Sequence, residues 1–292
     1  MTVPGDEQAQ TGSGEFRDVV DVQLLDESLL VAARIARAPS AGLASVTALV
    51  LVDAEPVVEV AEEIGAGVDS WEHAVAGPLL LTIEQPLERW RLLLDAPGAR
   101  IELELHALTA PAELAEPATA AAGRAAGLQR YAQLCAASGT AEVGGRRRTV
   151  EAPAVRVHRW GPVGEVSRAR FLTVASEDGE LLTVAAVQPP GARAHGEELV
   201  GGHTTRAGDG GGDGPLPFET VRLSTVFGED GLPVKAGAEL FRPGDELPRR
   251  LAGVAAGGIA AALPGAPSTL TLFRFSLDGV PALGSYEIEA GL

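Results

Sequence analysis

The chain has 292 residues, 46% hydrophobic and 22% charged, an ordinary globular balance that can bury a core without staples. Its net charge is −17 and Lys235 is its only lysine, which argues against general nucleic-acid binding and against an anionic membrane surface. Cys135 is the only cysteine, so an internal disulfide and a thiolate metal cluster are both excluded.

Residues 1–15 are small and polar and read as a disordered tail with no apolar signal segment. No apolar run reaches the ~20 residues that a membrane helix needs. The expectation is a cytoplasmic protein without an integral membrane segment. From Phe16 the texture changes. The runs 28–37, 43–53 and 55–63 are short, apolar and broken by Pro, Gly or Asp, as strands are. In 98–110, Ile101, Leu103, Leu105 and Ala107 alternate with Glu102, Glu104 and His106, the period of a half-buried strand. The run 89–95 can pair with it across the turn at 96–98.

Residues 110–127 are rich in Ala, Glu and Pro and read as a linker or short helix. They set the expected division: an N-terminal β domain over 16–120 and a C-terminal β domain over 121–292. Gly144-Gly145 and Asp178-Gly179 each lie between extended runs and predict hairpins, because glycine takes φ > 0 freely. Residues 191–215 are glycine-rich and read as a loop, either a lid or a neutral insertion. The runs 220–228, 232–241, 268–279 and 284–291 are further strands, and 251–263 reads equally as helix or strand. Many short strands with regular turn signals predict an all-β sandwich or barrel with little helix.

Familiar catalytic and phosphate-binding motifs are absent from the sequence. No pair among His73, His106, His158, His195 and His203 has metal-ligand spacing, so neither a metal nor a cofactor is expected. His106 is expected in solvent, His73 at a surface or rim, and His195 and His203 in the solvated glycine-rich loop. One segment stands apart. In an extended 152–164, Arg156, His158 and Trp160 share one face and Val155, Val157 and Arg159 share the other. Turned inward, the trio forms a pocket wall with a cation, a titratable ring and an indole. The alternative places the two valines in the core and the trio on an exposed face, with arginine stacked on tryptophan.

The succession 130–161 resembles the carotenoid 1,2-hydratase, AttH-like and kievitone hydratase-like superfamily, to which certain decalin-forming pericyclases are similar. Arg130-Tyr131-Ala132-Gln133, the hairpin from Gly139 to Gly145, and Arg156-Val157-His158-Arg159-Trp160-Gly161 carry the likeness. Looser likeness runs through 86–111 and 278–289. The acidic and serine positions of that superfamily's hexad are Val157 and Arg159 here.

The resemblance implies tandem lipocalin-like β domains around an apolar pocket. It implies an enzyme that hydrates or cyclises a lipophilic polyene, terpenoid or polyketide-like molecule, with His158 as acid or base. Tyr131 and Trp160 line the pocket in this reading, Arg156 orients a polar end of the ligand, and Glu287 supplies a carboxylate from the last strand. The alternatives are a non-catalytic carrier of a lipophilic small molecule and a structural β module.

Overall fold

A strand with one wet face alternates in sequence, whereas a strand covered on both faces carries a continuous apolar run. The chain uses both kinds, and the difference fixes where its chemistry sits. The computed structural model describes residues 2–12, 15–65, 68–114, 120–162, 168–189, 191–192, 197–208, 215–264 and 267–290. Strands β1 (Phe16–Asp26) and β2 (Leu29–Ala38) are buried almost end to end. Strands β3 (Leu43–Val52), β4 (Glu55–Glu63), β5 (His73–Ala76) and β6 (Leu79–Gln85) follow. Then β7 (Arg89–Ala96) and β8 (Ala99–Ala107) alternate buried and exposed residues as predicted, and His106 faces solvent. A short β9 (Ala112–Glu113) and helix α1 (Ala120–Ala126) lead to the long hairpin of β10 (Gln129–Val143) and β11 (Arg146–Pro162). Its turn is Gly144-Gly145, both at positive φ.

These strands form one antiparallel sheet in the order β4-β3-β2-β1-β11-β10-β8-β7-β6-β5, with β9 beside β10. The sheet curls, so that residues from its two ends, such as Val46 and Leu81, share one interior core. The second sheet contains β12 (Arg168–Ser176), β13 (Glu180–Gln188), β14 (Leu199–Arg206), β15 (Leu216–Pro217), β16 (Thr220–Phe227), β17 (Pro233–Phe241), β18 (Arg249–Ala261), β19 (Ser268–Leu277) and β20 (Val280–Ala290). Its order is β15-β14-β13-β12-β20-β19-β18-β17-β16, around a core that includes Phe273 and Tyr286. The all-β expectation of two tandem lipocalin-like curled sheets holds.

Two sequence readings differ from this structure, and one that stood open is resolved. The first sheet runs through Pro162, so the division expected at 120 falls inside it: β10 and β11 close the first sheet. The run 251–263 is mostly strand, because its small residues lie between β17 and β19. The glycine-rich stretch contains β14, on which His203 is fully buried, while His195 lies outside the described residues.

The outer face at the centre of the first sheet packs on the second. Leu25, Leu30, Ala32, Leu134, Val155 and Val157 meet Ala175, Leu181, Leu270 and Leu272 there. Beside this apolar seam lies a buried ion network. Arg34 meets Asp21 and Glu287, each at 2.5 Å. Arg159 meets Glu287 at 2.5 Å and also bonds Glu289, which Arg17 approaches at 3.6 Å. Burial alone would raise the Glu287 carboxyl, but Arg159, Arg34 and Arg130 outweigh it and hold the group below its usual range. Glu287→Gln leaves two buried guanidiniums short of a carboxylate. It should cost about 3–5 kcal/mol in urea unfolding, with the circular dichroism of the folded protein unchanged.

Candidate functional site

Strand β11 turns Arg156, His158 and Trp160 into the first sheet's interior and Val155, Val157 and Arg159 toward the second sheet. The inward alternative holds, and neither face of this stretch is exposed. Tyr131 on β10 lies directly opposite His158, and Val20 on β1 opposes it from the other side. Asp18, two residues further along β1 and opposite Trp160, reaches the ring diagonally. Its Oδ1 is 2.7 Å from His158 Nε2. Asp18 Oδ2 accepts from Trp71 Nε1 at 2.8 Å and from the Gln10 backbone N–H at 2.7 Å. Arg37 stands 3.7 Å from the same carboxylate.

All three tryptophans of the chain converge here. Trp160 packs on the imidazole at 4.8 Å between ring centroids, and Trp71 stands edge-on at 6.1 Å. The third, Trp90, lies beneath the Arg156 guanidinium at 4.8 Å. Tyr131 completes the box, 5.7 Å from His158 by centroid, with its hydroxyl 3.4 Å from Nδ1.

The N-terminal segment supplies the remaining charge. A one-turn 3-10 helix, Pro4–Glu7, carries Glu7 into the sheet interior, where it is 1% exposed. Glu7 Oε1 accepts from Tyr131 Oη and pairs with Arg156 Nη1, each at 2.5 Å. Oε2 accepts from Trp90 Nε1 and from the Leu87 backbone N–H, both at 2.8 Å. Leu87 holds φ at 62°, in the left-handed region that costs a branched residue strain. In that conformation its N–H serves Glu7 and its carbonyl accepts from Gln133 Nε2 at 3.1 Å. Residues 2–12 are therefore not the disordered tail that composition predicts; a polar stretch is held by the buried carboxylates of Glu7 and Asp18.

Burial alone would raise Glu7, but the Arg156 charge and the bonds from Leu87, Tyr131 and Trp90 hold it below the usual carboxylate range. Burial pushes the Tyr131 phenol up, so it keeps its proton and donates it to Glu7. Burial likewise pushes the Cys135 thiol up to about 12, which leaves it inert as a nucleophile. At the end of β11, a Cβ on Gly161 would stand 2.4 Å from the Gly127 carbonyl oxygen. Glycine there lets the chain entering β10 at residues 127–128 lie against the end of β11. A depression of about 360 Å³ opens at this end, lined by Thr2, Asp6, Glu113, Gln129, Arg130, Tyr131 and Trp160.

Of the residues expected from sequence, Arg156, His158, Trp160 and Tyr131 come together. Glu287 does not: it faces the inter-sheet seam, bound by Arg34 and Arg159. Glu7, Asp18, Arg37, Trp71 and Trp90 were not singled out in the sequence. The rarity of tryptophan was the one available signal for two of them. Among the described residues no group of three or more His, Cys, Asp or Glu could hold a metal.

A family model described as a domain of unknown function, DUF7064, matches residues 18–288. The chain belongs to the DUF7064 family. No curated protein matches it. Among solved structures, this DUF7064 member is similar to kievitone hydratase from Nectria haematococca, with a TM-score of 0.65 at 11% identity, covering 99% of this chain and 93% of that one. A putative AttH from Nitrosomonas europaea gives 0.55 at 13% identity, covering 95% and 92%. CghA with Sch210972 gives 0.57 at 12% identity, covering 94% and 88%. The fold that the 130–161 resemblance implies is therefore the fold of this DUF7064 chain. No helix among its described residues is long and apolar enough to cross a membrane.

Glu7 gives the DUF7064 site a pH signature. A carboxyl held low in the folded state contributes stability above its unfolded value of 4.5, and that stability is lost as pH falls below 4.5. Glu7→Gln should be about 1.5–3 kcal/mol less stable at pH 7 in urea titrations. Its stability should fall less steeply than the parent's from pH 4.5 to 3.

Proposed function

We propose that the protein is an enzyme acting on a small lipophilic molecule, with His158 exchanging a proton with the substrate. The observation that carries this reading is an Asp18-bound imidazole boxed by Trp71, Trp160 and Tyr131 inside a curled sheet. With the Asp18 carboxylate accepting at Nε2, that nitrogen carries a hydrogen, and Nδ1 is the position that gives or takes a proton. Asp18 is itself fixed by Trp71 and the Gln10 N–H, so the ring is oriented before substrate arrives.

Two reactions suit this setting. Hydration of an alkene needs an acid at carbon, a dry site and aromatic faces beside the developing cation. Cyclisation of a polyene needs shape and hydrogen-bond polarisation, which the Arg156 guanidinium supplies from Nε and Nη2, the two nitrogens without a partner. Kievitone hydratase and CghA share the fold, and the name of the first supports hydration. The depression beside Tyr131 and Trp160 is the entry in this reading, and Arg156 holds a polar end of the ligand. The ligand-binding role of Glu287 is not part of the proposal, because its carboxylate is committed to the inter-sheet arginines.

The test begins with lipophilic molecules extracted from the purified protein and identified by mass spectrometry, then incubated with fresh protein. Turnover should fall about 10²- to 10⁴-fold in His158→Gln, with circular dichroism unchanged. Full turnover in that variant overturns the assignment of His158. A recovered molecule that binds stoichiometrically and is never altered overturns catalysis in favour of a carrier.

A further inference from the structure

The face of β10 that looks away from His158 carries a buried arginine with no carboxylate in contact with it. Arg130 is 4% exposed, beneath the second sheet. Its Nη2 donates to Thr173 Oγ1 at 2.7 Å, and its guanidinium lies 5.3 Å from the Phe171 ring centroid. Its Nε and Nη1 have no partner. The other inter-sheet arginines, Arg17, Arg34 and Arg159, share Asp21, Glu287 and Glu289. Among the described residues no carboxylate forms an ion pair with Arg130. Burial pushes its guanidinium down to about 10, and Glu287 and Asp21, which make no ion pair with it, offset that only in part.

Three strands of the second sheet lay out a polar row against it. Thr173 on β12 is opposite Thr183 on β13, and Thr183 is opposite His203 on β14. Cross-strand partners share a face at steps of about 4.8 Å, so the three side chains line up on the side where Arg130 enters. Thr183 Oγ1 and both ring nitrogens of His203 have no partner, although His203 is fully buried. Burial and the nearby Arg130 charge push His203 down to about 4, so its ring is neutral, with one nitrogen donating. Phe171, Ala185 and Val187 flank the row and pack with Leu114 and Ala122 into one apolar cluster.

We propose that this row is a carboxylate-binding site, in which Arg130, Thr183 and one His203 N–H hold the two oxygens against the apolar wall of Phe171, Ala185 and Val187. Water can satisfy these hydrogen bonds but puts no anion in contact with the guanidinium, and a buried charge without a contacting partner is costly. A carboxylate supplies both the acceptors and the charge. The row lies on the other side of the strand from the imidazole, although Arg130 also borders the depression beside Tyr131 and Trp160: Arg130 and Tyr131 are neighbours in sequence that point to opposite faces of β10. A ligand here touches the seam between the sheets rather than His158.

The test uses the full chain with sodium formate and sodium decanoate, against sodium chloride at equal ionic strength. At least one carboxylate should raise the melting temperature and bind one-to-one by calorimetry. Formate alone identifies a small free anion as the occupant, and decanoate identifies a lipophilic acid; either supports the site. Arg130→Gln should weaken the dissociation constant at least tenfold. Thr183→Val, nearly equal in volume, should weaken it several-fold and serves if the first variant does not fold. The proposal is overturned if neither carboxylate acts beyond chloride, or if the folded variants bind as the parent does.

Discussion

The structure depends on how charge is taken out of water along β1 and β11. β1 and the half of β11 from Ala154 onward are covered on both faces, so the polar side chains there must find their partners inside the protein. On the inner face Asp18 meets His158 and Trp71, and Arg156 meets Tyr131 and Glu7. On the outer face Asp21 and Arg159 join the ion network with the second sheet. Each set is fixed because leaving any member unpaired is expensive. The apolar seam around Val155 and Val157 holds the sheets together without direction, and the ion pairs give it register.

That constraint also shapes the candidate site. The imidazole sits in a low-dielectric interior, where a hydrogen bond to a carboxylate is strong and a misplaced one is costly. Its carboxylate partner is held by an indole from β5's approach and by backbone from the N-terminal segment. The aromatic box therefore rests on contacts from distant parts of the sequence. A related arrangement recurs in the second sheet, where Arg170 bonds Tyr286 at 3.1 Å and pairs with Glu198. An arginine, a tyrosine and a glutamate thus stabilise each curled interior, but among the described residues only the first set has a histidine within ring-contact distance.

Much of the architecture was legible. The alternation from Ile101 to Ala107 and the glycine pair at 144–145 are local signals, and local signals survive folding. The sidedness of Arg156, His158 and Trp160 was not legible, because period-2 alternation says which residues share a face and not which face is covered. Here both faces are covered. The place of Glu7 was illegible for another reason: it meets Tyr131 across 124 residues of sequence, and its neighbours are as polar as a tail's. The Ala- and Pro-rich stretch near 120 misled because a helix can interrupt a sheet as readily as it can join two domains. His203 was hidden by the glycines around it, which stand in β14 close to Thr183 and Val184.

Strand β11 carries the imidazole on one side and the clasp between the sheets on the other, and this separates two kinds of inheritance. Odd positions answer to the partner sheet, and even positions answer to the interior. A chain built this way can change how its halves are fastened, at positions 157 and 159, without touching the side of the strand that carries the imidazole. Two lineages can then share every residue around the imidazole and still differ in the joint behind it.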